Sequence, residues 1–173
     1  MVTRFYAGAG IPYGNASIMP LERRFFVGGA NDLRAFRPRV IGPGFFADKD
    51  SLGIDRSGEI KLEVNMEYRF NIIKRYLEGA LFADAGNIWL ARRDDKTYPG
   101  GAFNIASVPK QLAIDGGIGL RLNFTFFIFR LDAAIPFQNP QLNDGQRWVL
   151  NQIGNKGWVR KEAQLNVAIG YPF

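Results

Sequence analysis

The chain has 173 residues and contains no histidine and no cysteine. Without cysteine there is no disulfide framework and no thiolate metal site. Without histidine the usual general base is missing, and with it Ser-His and Cys-His pairs and most zinc sites. Long apolar runs are missing as well. Nothing approaches the roughly 20 residues of a membrane-spanning helix, and the most apolar stretch, "FTFFIFRLDAAIPF", is broken by Arg130 and Asp132. The opening "MVTRFYAGAG" has no basic n-region, apolar h-region or cleavage site. These absences exclude most hydrolytic chemistry and helical membrane spans. They leave spanning strands untouched.

What is present is alternation. In "GEIKLEVNMEYRF" (58–70), Glu59, Lys61, Glu63, Asn65, Glu67 and Arg69 fall on one face, and Ile60, Leu62, Val64, Met66, Tyr68 and Phe70 on the other. Side chains alternate across a strand, so this is a two-faced strand. The same reading predicts strands at 2–10, 77–89, 112–124, 125–136 and 162–173, six in all, and no helix of three turns or more. Residues 77–89 place Glu78, Ala80, Phe82 and Asp84 on one face. Arg121 and Asn123, Arg130 and Asp132, and Gln164 and Asn166 mark the polar faces of the last three strands. Periodicity alone does not say what the apolar faces touch.

Two features predict an antiparallel transmembrane β-barrel. Most of the strands run about 10–13 residues, suited to a tilted bilayer crossing and longer than the ~5–6 usual in globular sheets. The connections also alternate in length: 71–76 and 123–125 are short, whereas 11–57, 90–111 and 137–161 are long. Short turns on one side and long loops on the other are the layout of outer-membrane barrels. On that layout Phe70, Tyr76, Trp89, Tyr171 and Phe173, near strand ends, fall where aromatic girdles belong. Six strands do not close a barrel of the common minimum of about eight. The chain is therefore expected to be the C-terminal part of a larger barrel, or to pair with other chains.

The formal charge of +6, from 22 Lys+Arg against 16 Asp+Glu, fits nucleic acid, an anionic membrane surface or simple solubility. Nucleic acid is disfavoured, because the aromatics among the arginines are followed by Gly-Pro and not set on a stacking platform. "GAGIPYG" (8–14) has the wrong spacing for a phosphate loop, with Pro12 where a helix should begin. Asp94 and Asp95 sit among Arg92, Arg93 and Lys96 and read as a solvated loop tip. Ser51, Ser57 and Ser107 have no histidine to activate them. No cofactor, metal or catalytic group is indicated, and the chain is not expected to be an enzyme.

The stretch "RRFFVGGANDLRAFRPRVIGPGFF" (23–46) carries five arginines among glycines and aromatics. Within it, Phe26, Gly28–Gly29, Arg34–Ala35–Phe36 and Ile41–Gly42–Pro43 resemble the loop motif of the BamA/TamA outer-membrane assembly superfamily, the bacterial surface antigen barrels. Ala35 stands where Gly is usual, as in TamA-like members from Bacteroidota. The resemblance continues through "EYRF" at Glu67, "FADAGNIW" at Asp84, "GGIGLRLN", "FRLDAAIPF" and the terminal Phe173. It thus spans nearly the whole chain.

The resemblance implies that residues 1–173 are the C-terminal six strands of a roughly sixteen-stranded barrel, with the loop 11–57 folded into the lumen. It implies that Arg34 pairs with Glu67 and Asp84 on the inner wall, while Gly28, Gly29, Phe36, Gly42 and Pro43 shape the loop. The arginines of the stretch as a group are expected to point inward toward those acids. Tyr171 and Phe173 resemble a C-terminal assembly signal on a strand that pairs weakly with the first barrel strand. The implied partners are outer-membrane lipid, client outer-membrane or secreted proteins, and the N-terminal strands and periplasmic domains of a parent protein. The implied location is the bacterial outer membrane, and the implied role is insertion or export of clients. The alternatives are a passive porin or ligand-binding barrel, and a soluble sheet that binds acidic partners.

Overall fold

The computed structural model describes residues 1–15, 19–47, 56–94, 96–154 and 157–173. Ser51 and Asp95 lie outside the described residues. Six strands form one sheet: β1 (Val2–Ala9), β2 (Ile60–Ile73), β3 (Leu77–Trp89), β4 (Ala113–Phe124), β5 (Phe127–Gln138) and β6 (Gln164–Ile169). Each pairs antiparallel with the next, so the spatial order is the chain order, and β1 and β6 are the edges. Helix is confined to short pieces, among them α1 (Val108–Gln111) and α2 (Trp158–Glu162). No helix among the described residues is long and apolar enough to cross a membrane.

The alternation of the sequence becomes an inverted burial pattern. On β2, Lys61, Glu63, Asn65 and Glu67 are buried, while Met66, Tyr68 and Phe70 are exposed. The same holds across the sheet: Asp84, Asp115, Arg121, Arg130 and Asp132 are buried, whereas Leu81, Ile118, Leu120, Leu165, Val167 and Ile169 are exposed. An apolar face this large, left open by the chain's own folding, calls for an apolar medium or partner. The polar face, in contrast, is covered by the chain itself.

Several boundaries differ from the sequence reading. β2 runs on to Ile73 through a bulge at Asn71/Ile73, and β5 starts at Phe127 because Thr125 and Phe126 form the turn. β6 stops at Ile169. Glu162 belongs to α2, and Gly170 turns the chain with a left-handed φ of 88°. Trp89 is no girdle residue: it is fully buried, its indole N–H donating to Gln111 Oε1 at 2.8 Å.

That bond is part of the seam holding the second half of the long loop. Asn87 donates to the Gly44 carbonyl at 3.0 Å and also to the Gln111 carbonyl. The Gly44 N–H donates to the Ile88 carbonyl at 2.8 Å. Val27, Leu33, Phe36 and Ile41 from the loop pack with Ile88 and Ala113 from the sheet into a small apolar core. Replacing Gln111 with Ala strands a buried indole donor, which costs about 1–3 kcal/mol. Equilibrium unfolding in denaturant should register that loss, whereas Gln146→Ala, exposed on the β5–β6 connection, should not.

Candidate functional site

The motif in the long loop is the tip of a small hairpin laid on the polar face. Its limbs are joined by Gly29 N–H to the Phe36 carbonyl at 2.8 Å and Arg39 N–H to the Val27 carbonyl at 3.0 Å. Gly28, Gly29 and Gly42 all have left-handed φ values, 99°, 102° and 82°. At Gly28 the requirement is double, because a Cβ there would also collide with the Arg37 carbonyl. Gly42 and Pro43 are buried and joined by a cis peptide. Leu33 and Phe36 anchor the tip in the apolar core, while Ala35 packs against its rim.

This geometry drives Arg34 into the sheet, where it is 1% exposed. Its Nε and one terminal nitrogen donate to Asp84 at 2.7 and 3.0 Å, a side-on fork, and its other nitrogen donates to Glu67 at 2.6 Å. The guanidinium carbon lies 3.5 Å from the centre of the Phe82 ring. One flat cation is therefore used on two edges and one face, which suits Arg and not Lys. Burial alone favours the neutral guanidine. The bonds to Asp84 and Glu67 outweigh it and hold Arg34 more firmly protonated than a free arginine.

The two acids are not equivalent. Glu67 also receives Arg69 at 2.7 Å and Arg121 at 3.0 Å. Asp84 has Arg34 as its one cationic partner among the described residues, supplemented by Asn65 Nδ2 at 3.1 Å. It also faces Asp115 directly across the β3–β4 pair, and both are buried. Like charges opposite each other repel, so Asp84 depends on Arg34 more than Glu67 does.

The structure adds residues to which the sequence assigned no role. Arg121 bonds Asp132, and Arg130 lies 3.3 Å from Asp132 while donating to the Ala30 carbonyl at 2.9 Å and Asn31 Oδ1 at 2.6 Å. Asn166, on edge strand β6, donates to the Arg34 carbonyl at 2.8 Å. Arg121, Arg130, Asp132 and Asn166 were visible in the sequence as polar residues interrupting apolar strands. Phe82 carried no such signal, since an aromatic on a polar face reads as a misfit until its cation is known. Gly117 and Gly119 leave room for this cluster: a Cβ on Gly117 would meet the Phe82 ring at 2.7 Å, and one on Gly119 would collide with Asp132 and Arg121.

The other arginines of the stretch do not point at these acids. Arg23, Arg37 and Arg39 are exposed, with Arg39 over the Phe26 ring at 4.8 Å. Arg24 donates to the Met19 carbonyl at 2.9 Å. One charged tip suffices to fill the space between β2 and β3, and the hairpin limbs carry the remaining charge outward. Tyr171 and Phe173 lie outside the strand expected to run to 173. Beyond the Gly170 turn they leave β6, Tyr171 reaching Glu78 at 3.3 Å with Arg69 over its ring at 4.1 Å. Arg4 lies 5.2 Å from the Phe173 ring centre.

A second clasp joins the loop to the β1 edge. Lys61 donates to Asp32 at 2.9 Å and to the Phe26 carbonyl at 3.1 Å, and it pairs with Glu63 at 2.8 Å. Arg4 bonds Glu63 and the Asn31 carbonyl. Burial, and then the Glu63 charge, push the Asp32 carboxyl up to about 6 against the pull of Lys61. Its docked form holds a proton that a free Asp, near 3.8, has lost. Docking is thus favoured at low pH and weakens as pH rises from about 4 to about 6, levelling off above that. Asp32→Asn should remove this slope without undocking the loop at pH 7, as measured by protease sensitivity of the loop across pH 4–8.

The whole chain, residues 1–173, matches the family model described as the Omp85 superfamily domain. The antiparallel sheet, with its apolar side open and its polar side ion-paired to a long loop, agrees with that match. The superfamily consists of outer-membrane proteins of protein assembly and translocation, acting on client proteins in contact with lipid. The chain belongs to the Omp85 superfamily.

Proposed function

We propose that residues 1–173 form the closing six strands of a roughly sixteen-stranded barrel of BamA/TamA type, of the TamA-like variant with Ala35 in the loop motif. The barrel inserts or exports client proteins without covalent chemistry. The loop 11–57 lies in its lumen, and Arg34 is the lock that keeps it there. The observation that carries this reading is the Arg34 guanidinium, buried and held by Glu67 from β2 and Asp84 from β3. A loop so tied ranks as a fixed part of the wall. The same packing favours assembly over a passive pore, because the loop covers the polar face that a diffusion channel needs open. The missing strands and periplasmic domains of the parent protein would pair with the β1 and β6 edges and select the client.

The lock is tested in the full-length parent. Arg34→Ala leaves Asp84 buried without a cation beside Asp115, and should cost on the order of 3–5 kcal/mol. Adding Asp84→Asn to Arg34→Ala should recover part of that loss, since the stranded acid is gone. Arg34→Lys should fall between, having a charge but no fork. The measurements are urea unfolding in lipid, heat-modified migration on gels, and client assembly. Unchanged unfolding and unchanged assembly in Arg34→Ala would remove the lock from the mechanism.

The bilayer-facing assignment has its own test. Ile118, mid-strand on β4, is exposed on the apolar face. Ile118→Arg should cost about 2–4 kcal/mol for folding into vesicles, while leaving loop docking intact once folded.

A further inference from the structure

The apolar face is not uniformly convex. A groove of about 340 Å³ crosses it from β2 to β6. Gly79 and Ala133 contribute almost no bulk there, and Phe70, Ile72, Ile118 and Leu165 stand around them. The Phe70 ring lies over Gly79 so closely that a Cβ would meet it at 2.5 Å. The lining is almost entirely apolar, and the acids and bases of β2–β5 point to the other face of the sheet.

One end of the groove reaches Ile72, two residues before the exposed Lys74 and Arg75 of the β2–β3 turn. Neither cation forms an ion pair among the described residues. Arg75 has a left-handed φ of 73°, and the turn is closed by Tyr76 N–H on the Ile73 carbonyl at 3.1 Å. The other short turn, at Thr125 and Phe126, is uncharged, with Phe126 86% exposed. Of these two short turns, the one beside the groove carries the positive charge.

We propose that the groove and the Lys74–Arg75 turn form one binding site for an anionic phospholipid. An acyl chain lies in the groove, and the headgroup phosphate sits on the two cations. Short turns of an outer-membrane barrel face the periplasm, so the lipid belongs to the inner leaflet of that membrane. Two cations on a turn next to an apolar trough match a phosphodiester on a hydrocarbon chain in both charge and polarity. A zwitterionic lipid fills the trough as well, but its own ammonium offsets its phosphate and weakens the match to the two cations. The inference rests on the apolar face meeting the bilayer and is independent of the Arg34 lock.

The test uses the full-length parent in nanodiscs of equal phosphatidylglycerol and phosphatidylethanolamine, with retained lipid counted by native mass spectrometry. The wild type should retain phosphatidylglycerol preferentially. Lys74→Gln with Arg75→Asn, where Asn tolerates the left-handed backbone, should cut that preference roughly tenfold. Ala133→Phe, which fills the trough from an exposed position, should lose retention of both lipids. Arg160→Gln with Lys161→Gln, on a long-loop connection, should change nothing. Heat-modified migration identical to wild type establishes that each variant has folded. Equal retention of both lipids by the wild type overturns the site, as does a preference that survives loss of both cations. A wild type that retains no lipid of either kind overturns the bilayer-facing assignment as well, and an altered assembly activity in Arg34→Ala bears on neither.

Discussion

The structure turns on a guanidinium taken out of water. Burying a charge is expensive unless geometry and hydrogen bonds offset the lost hydration. Here the offset comes from two carboxylates on adjacent strands and an aromatic face beneath the cation. Several features of the long loop deliver Arg34 to that point. The left-handed glycines shape the hairpin, Leu33 and Phe36 seat its tip, and Asn166 holds the backbone at the arginine itself.

The arrangement is a network more than a pair. Glu67 is shared among Arg34, Arg69 and Arg121, and Asp132 ties Arg121 to Arg130, which in turn reaches the loop at Ala30 and Asn31. The buried acids Glu67, Asp84 and Asp132 each pair with one or more of these four guanidinium groups. A side chain already fixed by one partner loses little more freedom on meeting a second, so a cluster orders at lower entropic cost per bond than isolated pairs. The Asp32 clasp at the β1 edge differs in kind. It brings two acids together on one lysine and responds to pH, whereas the Arg34 cluster sets several guanidinium groups on shared carboxylates.

The inverted sheet connects this interior to the surroundings. In a soluble protein the apolar face of such a sheet would be the core. Here the small apolar core lies between the loop and the polar face, and the large apolar face is left open. That division fits an outer-membrane superfamily. It leaves the shape of the outer wall, with its groove and its one basic turn, free to distinguish one lipid from another.

How much of this was legible in advance follows from what each pattern depends on. The strands and their two faces depend on a period of two, which local sequence carries, so Glu67, Asp84, Arg121 and Asp132 fall on the polar face by counting alone. Strand ends were less legible, because the turn at Thr125–Phe126 and the departure at Gly170 depend on which hydrogen bonds the neighbouring strand can supply. The resemblance of the loop motif singled out Arg34 and its two acids. The composition of the stretch did not separate Arg34 from Arg23, Arg37 and Arg39, whose outward placement follows from the hairpin. The sequence by itself determined an all-β chain with one charged and one apolar face, since alternation is a property of the strand. Only the tertiary structure decided that Phe82 lies beneath the cation, that Trp89 is buried against Gln111, and that Asp84 leans on Arg34 more than Glu67 does. Those facts depend on register between strands and on the reach of a loop, which no local pattern encodes.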